Sequence, residues 1–132
     1  MPNPDQLFPT VRTARDAADL IEPLLSGLRA EKLVVVHLDA DRRLLGLVEG
    51  ELGAVGDTHL PIRAIVADAL RFESAGIVIA HNHPSGDASV SQADIEATRR
   101  LAWVVTELEI ALHDHLIFAS GEVSSFRALG LL

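Results

Sequence analysis

Three residues in this chain have types and spacing that can do chemistry together: His81, His83 and Asp94. An apolar run, Gly76-Ile77-Val78-Ile79-Ala80, leads into His81-Asn82-His83-Pro84-Ser85-Gly86-Asp87, and a helical pattern leads out from Ser91. The order reads as strand, polar loop, helix. In an extended segment residues i and i+2 point to the same side, so His81 and His83 face one point and Asn82 faces away. Asp94 enters from the first turn of the helix. Two imidazoles and one carboxylate form a ligand set for a catalytic divalent metal, usually zinc, with the fourth position left for water. A lone buried histidine is more simply a hydrogen-bonded core residue. Two in register with a carboxylate, around a Pro-Ser-Gly turn, favour the ligand.

Asp94 has a competing structural role. Ser91 and Asp94 have the Ser-x-x-Asp spacing of a capping box, and a carboxylate there also suits the helix dipole. Without the two histidines the cap would suffice as an explanation; with them the ligand is expected.

His-x-His, seven residues, Ser, two residues, Asp resembles the JAMM (MPN+) metalloprotease motif, carried here by His81, His83, Ser91 and Asp94. The wider wording His-Asn-His-Pro-Ser-Gly-Asp, with Ser91-Gln92-Ala93-Asp94-Ile95 and Asp114-His115-Leu116-Ile117, resembles the RadC branch of that family from about Leu33 to Leu132. The resemblance implies zinc held by His81, His83 and Asp94, with Ser91 contacting the reacting oxygen. A helix start aimed at that oxygen adds positive potential. It also implies a general base, a glutamate upstream of His-x-His, that takes the water's proton and returns it to the leaving amine. Glu49 and Glu51 are the candidates. Alternation cannot separate i from i+2, but Glu, three residues, Gly resembles the RadC pattern and selects Glu49. Glu51 reads as a solvated edge-strand charge. Asp114 and His115 resemble the Asp-His pair of the RadC branch; near a ligating imidazole such a residue could fix its tautomer, or the pair holds the sheet together. His113 and His115 repeat the His-x-His spacing with no third ligand nearby, and His37 is a candidate for a place behind the ligands, though it reads more simply as satisfying a local hydrogen bond.

The implied activity is a zinc-dependent hydrolase acting on a peptide or isopeptide bond in a peptide or protein substrate. The alternative is a non-catalytic or DNA-repair-associated module binding a protein or nucleic-acid partner. The letters His-Asn-His do not indicate an HNH nuclease, whose residues are dispersed along a longer unit. The net charge of −8 repels a phosphate backbone, so unaided DNA binding is not expected. Arg42-Arg43 and Arg99-Arg100 are the only adjacent basic pairs.

The elements that must position these groups follow from periodicity. Residues 1–12 read as an N-terminal arm and 13–132 as a single domain, long enough for a core. Thr13 opens a helix with Asp16 three residues on. Leu20, Ile21, Leu24, Leu25 and Leu28 recur at helical spacing, and Pro23 predicts a kink or break. Residues 33–38 and 44–52 form a hairpin across Asp39–Arg42, and 53–57 a loop. A helix spans 61–72, with Pro61 at its first position and Ile62, Ile65, Val66, Ala69 and Leu70 on one face. After strand 76–80, the longest helix runs from Ser91 to about Leu108, with Leu101, Val104, Val105 and Leu108 as its stripe and Trp103 off it. Strands 110–118 and 122–125 follow, then an apolar tail. The order α-β-β-α-β-α-β-β predicts an α/β three-layer sandwich with a mixed sheet flanked by helices; the resemblance implies the same, in the cytidine-deaminase-like style. The chain has no cysteine, which fits the cytoplasm and leaves His and carboxylate as the zinc ligands. No secretion signal is evident, and no apolar run approaches the ~20 residues that cross a bilayer. The first helix and the apolar tail allow a homodimer without requiring one.

Overall fold

A computed structural model describes residues 8–52 and 60–132. The beginning of the expected arm, residues 1–7, and the expected loop at 53–57 lie outside the described residues. The elements are α1 (Ala14–Leu25), β1 (Lys32–Leu38), β2 (Leu44–Glu51), α2 (Ile62–Arg71), β3 (Gly76–Asn82), α3 (Gln92–Glu107), β4 (Ala111–Ala119) and β5 (Glu122–Ser125). The strands form one open sheet in the order β2-β1-β3-β4-β5. Only β3 and β4 run parallel, because α3 carries the chain back across the sheet between them.

Alternation along the strands sorts the core into two layers. Val34, Val36, Leu38, Val78, Ala80, Leu116 and Phe118 pack under Ala17, Ile21 and Leu25 of α1. Leu33, Val35, Ile77, Ile79 and Leu112 pack against Ile65 and Ala69 of α2 and Leu101 and Val105 of α3. The three-layer α/β arrangement with a mixed sheet is the expected one. Truncating a fully buried residue such as Ile21 to Ala costs ~2–5 kcal/mol. No helix among the described residues is long and apolar enough to cross a membrane.

The caps form as the spacing predicts. Thr13 accepts from the Asp16 amide at 3.0 Å and Asp16 accepts from the Thr13 amide at 3.2 Å. Pro23 lies inside α1, which stops two residues later, since proline offers no N–H and removes a bond near the end. Leu28 therefore falls outside the helix and is exposed, contrary to the expected stripe. Pro61 caps α2 from outside instead of occupying its first position. Leu70 and Leu108 are also exposed, having rotated past the edges of their buried stripes, and Trp103 faces solvent at 69% exposure.

One irregularity shapes β4. Leu112 pairs with Ile77 and Asp114 with Val78, so His113 is an extra residue, a bulge. Gly76 lies beside it because a Cβ there would collide with the His113 ring.

Candidate metal centre

The site lies at the carboxyl end of β3, where α3 begins. His81 and Asn82 are the last residues of the strand, and Ser91 caps the helix. His81 Nε2 is 2.9 Å from His83 Nε2. Asp94 Oδ1 is 3.7 Å from His81 Nε2, and its Oδ2 is 3.7 Å from His83 Nε2. The three ligand atoms all lie within 4.8 Å of one another. Tetrahedral zinc with bonds of about 2.0–2.2 Å separates its ligands by roughly 3.3–3.6 Å, and the observed distances bracket that. His81 and Asp94 are buried, while His83 is half-buried and opens the group to solvent.

The state of the rings suits a cation. Burial, opposed by the Asp94 charge and reinforced by His83, pushes His81 down to about 4. It is therefore neutral at pH 7 and has a lone pair to give. His83 Nδ1 lies 2.8 Å from the Asp87 carbonyl. A carbonyl only accepts, so Nδ1 carries the hydrogen and Nε2 is the free donor atom. Gly86 takes φ +88° in this loop, a conformation glycine adopts without strain. Behind His81, His115 Nε2 is 2.8 Å from Nδ1, and His115 Nδ1 is 2.6 Å from Thr98 Oγ1. Burial first, then His81 and His83, holds His115 well below the usual histidine range.

Asp94 fills its expected capping role, and its carboxylate also faces both histidines. Its amide donates to Ser91 Oγ at 3.0 Å, and its Oδ2 accepts from the Ser91 amide at 3.2 Å. Ser91 is thus an N-cap and is exposed; it is not among the residues lining the small cavity at the cluster. That cavity is bounded by Glu31, Leu52, Leu60, His81, His83, Asp94, Ala97 and His115.

Glu49 is not in that cavity. Directly opposed residues of an antiparallel pair share a face, and Glu49 opposes Val34, which packs under α1. His81 opposes Leu33, which packs toward α3. Glu49 and Glu51 therefore stand on the other side of the sheet from His81, and Glu49 pairs with Lys32. The carboxylate that sequence reasoning missed is Glu31. It shares the parity of Leu33 and precedes β1, which runs antiparallel to β3, so it is delivered beside His81 and His83. Its signal was that parity, but the parity points to the site only once the strand pairing is known. Asn82 faces away from the cluster, as expected, and holds the backbone on both sides of Glu31. Its Oδ1 accepts from the Lys32 amide at 2.7 Å and its Nδ2 donates to the Ala30 carbonyl at 2.9 Å.

The Asp114-His115 pair divides its two expected roles. His115 touches the His81 ring. Asp114 holds structure: it accepts from the His115 and Arg127 amides and from the Ser125 hydroxyl, tying β4 to β5 and the tail. His113 lies away from the cluster, against Arg42 at 3.1 Å.

Fold and site together define an open α/β domain with a His-His-Asp group able to hold one metal ion at the end of a central strand. The chain belongs to the RadC-like JAB domain family, whose model matches residues 11–131. It is 34% identical over 125 residues to UPF0758 protein YfjY of Escherichia coli strain K12, covering 95% of this chain and 76% of that protein. A UPF0758 protein of Chloroflexus aurantiacus is 34% identical over 127 residues, 96% of this chain and 55% of the relative. UPF0758 protein NMC1174 of Neisseria meningitidis is 38% identical over 115 residues, 87% and 51%. The chain spans about half the length of several curated relatives it matches.

Proposed function

We propose that this domain is a zinc-dependent hydrolase that cleaves a peptide or isopeptide bond in a protein or peptide substrate. The observation that carries the reading is the meeting of His81 Nε2, His83 Nε2 and the Asp94 carboxylate in one small cavity that Glu31 also lines. Zinc held there supplies Lewis acidity, polarising a carbonyl and making water acidic near neutral pH. The chain's own residues do the rest. Glu31 takes the proton of the attacking water and returns it to the leaving amine. Asn82 keeps Glu31 in reach by fixing the main chain at Ala30 and Lys32. Ser91, whose oxygen already accepts from Asp94, keeps its hydroxyl hydrogen for the reacting oxygen in front of the helix start. A site built from histidine and carboxylate in a cysteine-free chain suits the reducing cytoplasm, where we place the protein.

The test sets two glutamines side by side, with zinc content and cleavage of fluorogenic peptide and lysine-linked isopeptide libraries as readouts. Glu31→Gln should retain its zinc and lose ~10²–10⁴-fold in rate, the usual worth of general acid–base help. Glu49→Gln should retain both. Wild-type protein that takes up no zinc from metal-buffered dialysis would overturn the metal assignment. Loss of cleavage in Glu49→Gln with Glu31→Gln active would return the base to Glu49.

A further inference from the structure

The hydrogens in the chain behind His81 can be placed from one end. The main-chain carbonyl of Asp94 only accepts, so the Thr98 hydroxyl donates its single hydrogen to it, at 2.6 Å. Toward His115 Nδ1, also at 2.6 Å, the Thr98 oxygen must then accept. His115 Nδ1 therefore carries a hydrogen. At 1% exposure and with no carboxylate bonded to either ring nitrogen, that ring is neutral and has only one N–H. Its Nε2 is consequently a lone pair, which accepts from His81 Nδ1 at 2.8 Å. His81 Nε2 is left bare and aimed at His83 Nε2, which is bare as well because His83 Nδ1 donates to Asp87. Two bare acceptors 2.9 Å apart repel each other, and a cation they share relieves that repulsion.

We propose that Thr98 and His115 are positioning residues that hold His81 as its Nδ1–H tautomer and so present its Nε2 to the metal. The purpose of this relay rests on the metal reading above; its hydrogen-bond order does not. Both ends of the relay are anchored in the ligand set, since Thr98 reports to the backbone of Asp94 one helical turn earlier and His115 to the ring of His81. A ligating histidine more often leans on a carboxylate, a main-chain carbonyl or water. A neutral imidazole draws less on the Nδ1 hydrogen than a carboxylate does. His81 thus stays an uncharged donor, and Asp94 is the only anionic ligand of the three.

The experiment uses the full chain with histidine ring nitrogens labelled, and reads tautomers by two-bond nitrogen–proton correlation in metal-free protein at pH 8. Zinc affinity is measured separately, by competition with a chromophoric chelator. Wild type should show His81 protonated at Nδ1 and bare at Nε2. Thr98→Val keeps the shape but removes the hydroxyl, so His115 loses its fixed orientation; zinc should bind ~10–100-fold more weakly, the usual cost of a lost partner behind a ligand. Thr98→Ser should restore both readouts. His81 protonated at Nε2 in the wild type would overturn the proposal, as would Thr98→Val with unaltered tautomer and affinity. If Thr98→Val does not fold, the wild-type and Thr98→Ser spectra decide. A wild type with the stated tautomers but no zinc affinity would sink the metal reading and leave the relay standing.

Discussion

His37 and His115 stand on the same face of one sheet, both buried and both neutral at pH 7. His37 sits at the far end of β1, its ring 4.8 Å from that of Phe72. Its Nδ1 meets Ser74 Oγ at 2.9 Å, and among the described residues its Nε2 has no partner. Burial pushes it down to about 4. His115 stacks on Phe126 at 4.5 Å and has both ring nitrogens bonded. Burial depresses both rings, so a lowered pKa does not separate a packing histidine from one in a site. What separates them is connection: His115 bonds to His81 of the His-His-Asp cluster, and His37 bonds to a loop serine. A perturbed pKa marks a candidate, and the partners decide its role.

The largest effect that can sharpen this comparison is on metal affinity. His115→Leu should weaken zinc binding ~10–100-fold, in line with the loss of a partner behind a ligand, while His37→Leu should leave it unchanged. Chelator competition on the two purified variants is the measurement; equal losses would erase the distinction. The stability effect at Asp94, which serves both the cap and the cluster, is the middle-sized one. Asp94→Ala should abolish stoichiometric zinc and also cost the metal-free protein ~0.5–2 kcal/mol, the value of an N-terminal cap interaction. Chemical denaturation without metal checks it, and an unaltered midpoint would mean the box contributes nothing.

The smallest effect is on pH dependence, and here His37 is the informative residue. Its folded pKa of about 4 lies below the unfolded value of 6.5. Above 6.5 neither state binds the proton. As pH falls below 6.5 the unfolded chain takes it first, so stability declines, and the full penalty is reached near 4. One proton limits the slope to about 1.4 kcal/mol per pH unit. Asp68 raises and Arg71 lowers the same pKa, and both remain in His37→Leu. Unfolding of metal-free protein between pH 7 and 5 should therefore have a shallower slope in that variant. His81 and His115 titrate in the same direction in both proteins and cancel in the difference. Parallel slopes would show that His37 is not the group responsible.

The two capping boxes and the His81, His83, Asp94 cluster were legible in the sequence because each is local. A cap joins residues three apart, and the cluster joins the end of one strand to the start of the very next helix. Glu49 was not, because its choice needed the face of a neighbouring strand. In β2 the facing is set by its pairing with β1, and that pairing puts Glu49 on the α1 side. Glu31 escaped notice for the same reason. It gains its place from an antiparallel neighbour and from two hydrogen bonds made by Asn82, about fifty positions further along the chain. Leu28 and Leu108 fitted a helical period that their helices did not sustain, and Leu70, inside α2, points away from its buried stripe.

The bulge at His113 acts on β4 as a frameshift acts on a message. Before it, Leu112 points toward α3; one supernumerary residue later, His115 and not Asp114 points there. Side-chain direction in a strand has a period of two, so an inserted position would exchange the two faces for everything downstream unless a bulge absorbs it, as the one at His113 does. Straightening β4 with His113 kept in the ladder would turn the His115 ring toward the α1 layer and offer the Asp114 carboxylate to His81 instead. An imidazole behind the ligand would become an anion, and Leu116 and Phe118 would leave the layer that α1 covers. The bulge, one residue of slack in a strand, thus decides whether an imidazole or a carboxylate lies behind His81.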